Sequence, residues 1–256
     1  MKMNELKLVY FSPTGTTRKV IMEAARSIDL KSTSHDFSVY KEKKPVLKFA
    51  ENDFALFGIP VYYGRVPALF TEYLKGITGN GTPAALIATY GCRDYEDALL
   101  ELKDIVEKNG FKVIAAAAFP AEHSLDPTIG ARHPNKADLK TIAEYGVELN
   151  RRIKKSDTFD SFDISLPGNT PYRKYGKNML FPKADVNSCT ECKVCPAGAI
   201  SLKDPKKTDK DKCIGCLKCV RICRQNARSV NSLKMKMVTS RLSKVCQSDK
   251  KADIFL

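Results

Sequence analysis

The sequence predicts an α/β domain on a doubly wound, five-stranded parallel sheet, followed by a small α+β module rich in cysteine. Three observations predict it. Up to about residue 150, short apolar runs alternate with stretches of helical period, the pattern of β/α units around a parallel sheet. Cys92 is the only one of nine cysteines before residue 189. Between the two parts, residues 156–183 are rich in Ser, Asp, Pro, Gly, Tyr and Lys and carry no periodicity, so they are expected to be a linker. The expected units are therefore residues 1–155, a linker over 156–183, and a module over 184–256 with a basic tail.

The five expected strands are Leu6–Phe11, Asp36–Val39, Phe54–Ile59, Ala84–Thr89 and Lys112–Phe119, each a short apolar run. Helices are expected over Thr16–Ser27, Pro67–Lys75, Tyr95–Asn109 and Asn135–Lys154. Gly110 closes the third, because it tolerates the left-handed backbone at a helix end. Asn135 is the expected cap of the fourth, since its side chain can accept from first-turn N–H groups.

In an open α/β sheet, ligands bind outside the carboxyl ends of the strands. Three loops belong there. The first, Ser12-Pro13-Thr14-Gly15-Thr16-Thr17, lies between a strand and a helix and would gather hydroxyls and N–H groups at the positive helix end, where a phosphate is favoured. Its spacing is neither Gly-x-Gly-x-x-Gly nor a Walker loop, so a monophosphate fits better than a dinucleotide or a nucleoside triphosphate. The second contains Pro60, Val61, Tyr62, Tyr63, Gly64 and Arg65, and the third Thr89, Tyr90, Gly91, Cys92, Arg93 and Tyr95. Each pairs glycine with aromatic rings, which suits a planar ligand. His123, after the fifth strand, is expected to bond locally at the same rim.

With these residues in place, the first ~150 residues resemble the flavodoxin family. Its phosphate loop has the form Ser/Thr-x-Thr-Gly-x-Thr, matched here by Ser12, Thr14, Gly15 and Thr17. The resemblance implies FMN, with the Tyr62–Arg65 and Tyr90–Tyr95 loops flanking its ring. One departure is charge: flavodoxins surround the flavin with carboxylates, whereas Arg65 and Arg93 stand here, which is expected to raise the flavin potential.

The C-terminal part is dominated by Cys213-x2-Cys216-x2-Cys219-x3-Cys223, the spacing of a cubane iron–sulfur site. Three thiolates wrap one cluster and the fourth reaches another. The preceding run, Cys189-x2-Cys192-x2-Cys195-Pro196, is similar but one cysteine short. Both runs resemble the bacterial two-cluster ferredoxin, and the order of domains resembles flavodoxin–ferredoxin fusions found mainly in anaerobes. Two clusters are expected, one of them four-iron and the other three-iron or incompletely held by cysteine. Two ligand sets remain open. Either Cys189, Cys192, Cys195 and Cys223 complete one cluster and Cys213, Cys216 and Cys219 hold the other, or Cys195 joins Cys213, Cys216 and Cys219. Cys246, in the tail, is expected to be a free thiol.

Charge is uneven. Residues 161–256 hold 20 Lys+Arg against 8 Asp+Glu, while residues 1–160 hold 23 against 21. A basic cysteine module steers an acidic redox protein toward itself. No nucleic-acid motif accompanies the charge, so specific nucleic-acid binding is not expected. No apolar run of ~18 residues predicts a membrane span. The first residues carry no signal-peptide pattern, which points to the cytoplasm, where clustered cysteines at metal spacing are ligands and not disulfides. The function implied is one-electron relay between flavin and clusters. Competing expectations are a flavin-dependent reductase of a small molecule, with the clusters as input, and a redox or oxygen sensor.

Overall fold

In the computed structural model, all residues are described except 1, 44, 157, 161, 186, 187, 190–193, 202 and 247–249. The N-terminal part runs β1 (Leu6–Tyr10), α1 (Thr16–Ala25), β2 (Ser32–Asp36), β3 (Leu47–Lys48), β4 (Phe54–Pro60), α2 (Ala68–Leu74), β5 (Ile77–Thr78), β6 (Thr82–Tyr90), α3 (Ala98–Lys108), β7 (Phe111–Pro120) and α4 (Lys136–Lys155). After it come β8 (Lys183–Ala184), α5 (Lys218–Arg221), β9 (Arg228–Ser229), α6 (Ser232–Val245) and β10 (Asp253–Phe255).

The main sheet has the order β10-β7-β6-β4-β1-β2. The five expected strands are present and parallel. A sixth was not expected. β10, from the C-terminal tail, pairs antiparallel with β7 and covers an edge that would otherwise be open.

Strand identity follows from burial. β4 and β6 are covered on both faces by helices, so their residues read as continuous apolar runs. The second strand lies earlier than expected, at Ser32–Asp36 and not Asp36–Val39. It is a half-exposed edge of polar residues, and Phe37, whose hydrophobicity marked the expected strand, packs past its end on Phe70 and Tyr73. α1 and α4 cover one face of the sheet and approach so closely that a Cβ at Gly146 would meet the Ala24 carbonyl at 2.1 Å. α2 and α3 cover the other face. Asn135 caps α4 in a capping box with Asp138.

Residues 156–183 form no long element, yet they are fastened to the α/β domain. The buried Asp97 carboxylate accepts from the Asn169 backbone (2.9 Å), the Asn169 side chain (2.9 Å) and the Arg173 backbone (2.6 Å). Phe159 and Ile164 are buried, and the Tyr175 ring packs on Tyr63. The cysteine module is in turn bolted down by the two basic residues of α5. Lys218 donates to the Ser38 carbonyl at 2.7 Å. Arg221 donates to the Glu122 carboxylate and to the carbonyls of His123 and Ser124.

Candidate functional site

A cleft of about 230 Å³ opens at the carboxyl ends of β1, β4, β6 and β7, where the strand order reverses around β1. From the first loop come Thr14, Thr16 and Thr17. Gly15 takes a left-handed backbone (φ +92°) that turns the chain into α1 and brings no side chain of its own to cap the helix, whose Arg18 N–H is taken by Ser12. The N-terminal end of α1 thus opens toward the cleft, where a helix end favours an anion. Ser12 stands behind it, its Oγ accepting from the Arg18 N–H (2.9 Å) and its N–H donating to the Ser38 hydroxyl (2.6 Å). Thr17 is committed inward, sharing a 2.7 Å hydroxyl bond with Thr89.

The second loop contributes Pro60, Val61, Tyr62 and Tyr63, and the third Thr89, Tyr90, Gly91, Arg93 and Asp94. Gly64 does not line the cleft; it forms the turn that lets Tyr62 pair with Arg65, and a Cβ there would collide with Glu96. Tyr95 sits behind Tyr90, edge to face at 5.4 Å. The two expected cations are both paired. Arg65 turns away to α3, where its Nε and Nη2 donate to the Glu101 carboxylate at 2.7 Å, while Nη1 donates to the Arg173 carbonyl. Arg93 lines the cleft but is held by Glu96 at 2.6 Å, so the basic flavin rim expected from the sequence is neutralised.

Sequence reasoning anticipated His123 at this rim and missed the rest: Glu122 and Leu125 from the loop after β7, Ile214 and Gly215 from the cysteine run, and Val238 and Leu242 from α6. His123 does bond locally as expected, its Nδ1 accepting from the Leu125 N–H at 3.1 Å, but it also lines the cleft. With Nδ1 accepting, the neutral ring carries its proton on Nε2. Burial, opposed by Asp126 and reinforced by Arg221 and Arg93, brings its pKa down to about 4, so the ring is neutral at physiological pH. In α6, the partly covered positions Met235, Val238, Thr239 and Leu242 fall on one face, while Lys234, Lys236, Arg241 and Lys244 are exposed.

The cysteines divide unequally. Cys195, Cys213, Cys216 and Cys219 line one small cavity together. Cys192 lies outside the described residues. No three His, Cys, Asp or Glu side chains among the described residues are arranged to hold a single metal ion; the four cysteines instead ring a space, as ligands of a polynuclear cluster do. The Cys195 and Cys223 sulfurs make matching bonds, each accepting an N–H four residues on, from Ala199 and Ala227, at 3.3 Å. Asn178 adds a longer contact to the Cys213 sulfur (3.7 Å). Burial pushes Cys216 up to about 12 and Cys219 up to about 11, the latter eased by the Arg228 charge. Arg228 is itself buried, and its Nε has no hydrogen-bond partner among the described residues. A buried guanidinium needs an anion, and a thiolate-bound cluster supplies one. Cys246 stands elsewhere, its sulfur donating to the Gly91 carbonyl at 3.4 Å.

A 4Fe-4S binding domain model matches residues 206–229. No curated protein matches the chain. Among solved structures, a flavodoxin from the domain Archaea is 16% identical and aligns 59% of this chain with 99% of its own at a TM-score of 0.42. A Fusobacterium nucleatum flavodoxin bound to flavin mononucleotide is 18% identical, with 59% and 99% covered and a TM-score of 0.40. A Streptococcus pneumoniae TIGR4 flavodoxin is 15% identical, with 58% and 99% covered and a TM-score of 0.40. The N-terminal domain has the flavodoxin-like fold, which its strand order carries, and an iron–sulfur region follows it. Among the described residues no helix is long and apolar enough to cross a membrane.

Proposed function

We propose that this chain relays single electrons between an FMN in the cleft and iron–sulfur clusters held by its C-terminal cysteines, in the reducing cytoplasm of an anaerobic cell. One observation carries the reading: the turn between Cys213 and Cys216 is itself a wall of the cleft into which the N-terminal end of α1 opens. Flavin exchanges one or two electrons and a cubane cluster exchanges one, so the pair links two-electron to one-electron chemistry.

The chain's own residues do the rest. Thr14, Thr16 and the first-turn N–H groups of α1 hold the phosphate. Tyr62 and Tyr90 offer ring faces and edges on either side of the flavin ring. His123, neutral, presents a donor on Nε2. Val238 and Leu242 of α6 add apolar side chains to the open side. Cys195, Cys213, Cys216 and Cys219 form a complete ligand set, and Cys189, Cys192 and Cys223 form one that lacks a fourth cysteine. Exposed lysines and arginines outside the α5 contacts attract an acidic electron-carrier protein.

Anaerobic purification followed by flavin, iron and sulfide analysis tests this. About one FMN per chain together with acid-labile sulfide is expected. Protein that binds neither on reconstitution overturns the reading.

A further inference from the structure

The cleft and the cysteine cavity meet at one side chain. Ile214 lines the cleft beside Gly215, and it also lines the cavity ringed by Cys195, Cys213, Cys216 and Cys219. The turn that carries it is pinned. Gly215 has a φ of +69°, a Cβ there would meet the Asn178 side chain at 2.7 Å, and Asn178 donates to the Cys213 carbonyl at 3.2 Å. From the opposite wall, Tyr62 and Tyr63 are electrostatic neighbours of Cys216 and Cys213. No residue next to Cys189 or Cys223 lines the cleft among the described residues.

Exposure runs the other way. Cys216 and Leu217 are buried (8% and 3% exposed), whereas Ile222, beside Cys223, is 45% exposed and Arg224 is open to solvent. Within the run, Cys216 is buried while Ile222 and Arg224 on either side of Cys223 are open to solvent, and Arg221 just before them reaches the loop after β7.

We propose that the two cysteine sites act in a fixed order: the site of Cys195, Cys213, Cys216 and Cys219 alone exchanges electrons directly with the flavin, across Ile214, and the site served by Cys189 and Cys223 faces the external donor or acceptor. This rests on the relay function proposed above. Tunnelling probability falls exponentially with separation, so of two sites on one rigid module the one sharing a wall with the cleft dominates. In the reducing direction, an external one-electron carrier protein is oxidised by one electron. That electron passes through the outer site, then the inner site, then to the flavin. Two such passages, with two protons taken from water, complete the flavin's reduction.

The test compares unaltered protein with Cys223→Ala and Cys216→Ser, each reconstituted without oxygen, poised at partial reduction and frozen. The readout is the microwave power that saturates the flavin radical's EPR signal, because a paramagnetic cluster nearby shortens the radical's relaxation. In Cys223→Ala the saturating power is expected to match that of unaltered protein. In Cys216→Ser it is expected to shift at least tenfold, whether that cluster is altered or fails to assemble. A shift in Cys223→Ala with none in Cys216→Ser overturns the order. Should Cys216→Ser not fold, Cys223→Ala still decides: an unchanged saturation supports the order and a large shift sinks it. Failure of the relay reading itself shows separately, as absent flavin or iron in the unaltered protein.

Discussion

Arg221, in the cysteine run, donates to the Glu122 carboxylate on the flavin-cleft rim at 2.8 Å, and its other nitrogens reach the His123 and Ser124 carbonyls. One side chain thus fastens the cysteine module to the loop after β7. Arg221→Ala should leave cofactor content intact while loosening this loop, at a cost of about 1 kcal/mol because the ion pair is partly solvated. Amide hydrogen exchange at residues 122–125 checks it. Exchange as slow as in unaltered protein would mean that other contacts hold the module.

The two threonines of the phosphate loop have different tasks. Both line the cleft, but the buried Thr17 spends its hydroxyl on Thr89, whereas Thr14 stands in the loop ahead of α1. Thr14→Ala should weaken FMN binding by about ten- to a hundred-fold, the loss of one charge-assisted bond of ~1.5–3 kcal/mol. Thr17→Ala should act mainly on folding, removing its bond to Thr89, which keeps a longer bond to the Ile59 carbonyl, at a cost of about 1 kcal/mol. Flavin titration and urea unfolding separate the two effects, and equal losses of affinity with unchanged stability would refute the assignment.

His123 makes stability depend on pH. Its pKa falls from 6.5 to about 4 on folding, so between those values the unfolded chain binds more protons than the folded one. Stability from this group is full above 6.5 and is lost as pH falls toward 4, by roughly 3 kcal/mol at most. His123→Gln should flatten the unfolding midpoint over that window. A midpoint falling as steeply as before would show that another group titrates there.

Acidic partners should feel the module through salt. Residues 161–256 carry 20 basic against 8 acidic side chains, and α6 alone exposes Lys234, Lys236, Arg241 and Lys244. Screening acts over ~8 Å at physiological ionic strength, so association with an acidic electron carrier should slow several-fold or more as salt rises. Replacing the four by Gln should flatten that slope, and stopped-flow kinetics measures it.

The parts of the fold that depend on local pattern were legible in the sequence. β4 and β6 declare themselves as apolar runs, and Asn135 declares the start of α4. β2 was misplaced because an edge strand has little to bury, so the apolar Phe37 that drew attention belongs to the core beyond the strand. β10 was invisible because a three-residue strand is chosen by the open edge of β7 and not by its own composition. In the cleft, the residues on the first three loops could be named from turn chemistry, while Ile214, Val238 and Leu242 could not. They reach the cleft only through the docking of one module on the other. Arg65 and Arg93 were read as free charges because their partners, Glu101 and Glu96, are set by tertiary packing and a helix-entry turn.

The last prediction concerns the number of thiolates. Two complete four-iron clusters need eight, and the two runs supply seven; Cys92 is buried in the α/β domain, so Cys246 is the other candidate. Its position speaks against that role: its sulfur donates to the Gly91 carbonyl in the third cleft loop, and it does not line the cavity shared by Cys195, Cys213, Cys216 and Cys219. Cys246→Ala should therefore retain the iron of the unaltered protein, chain for chain. Cys195→Ala should not, because Cys195 lines the same cavity as Cys213, Cys216 and Cys219, and its loss leaves three ligands around a buried Arg228 cation. Iron analysis with low-temperature EPR decides between them. Unaltered iron in Cys195→Ala with loss in Cys246→Ala would mean that the tail folds back onto the clusters and that the cavity around Ile214 is not their site.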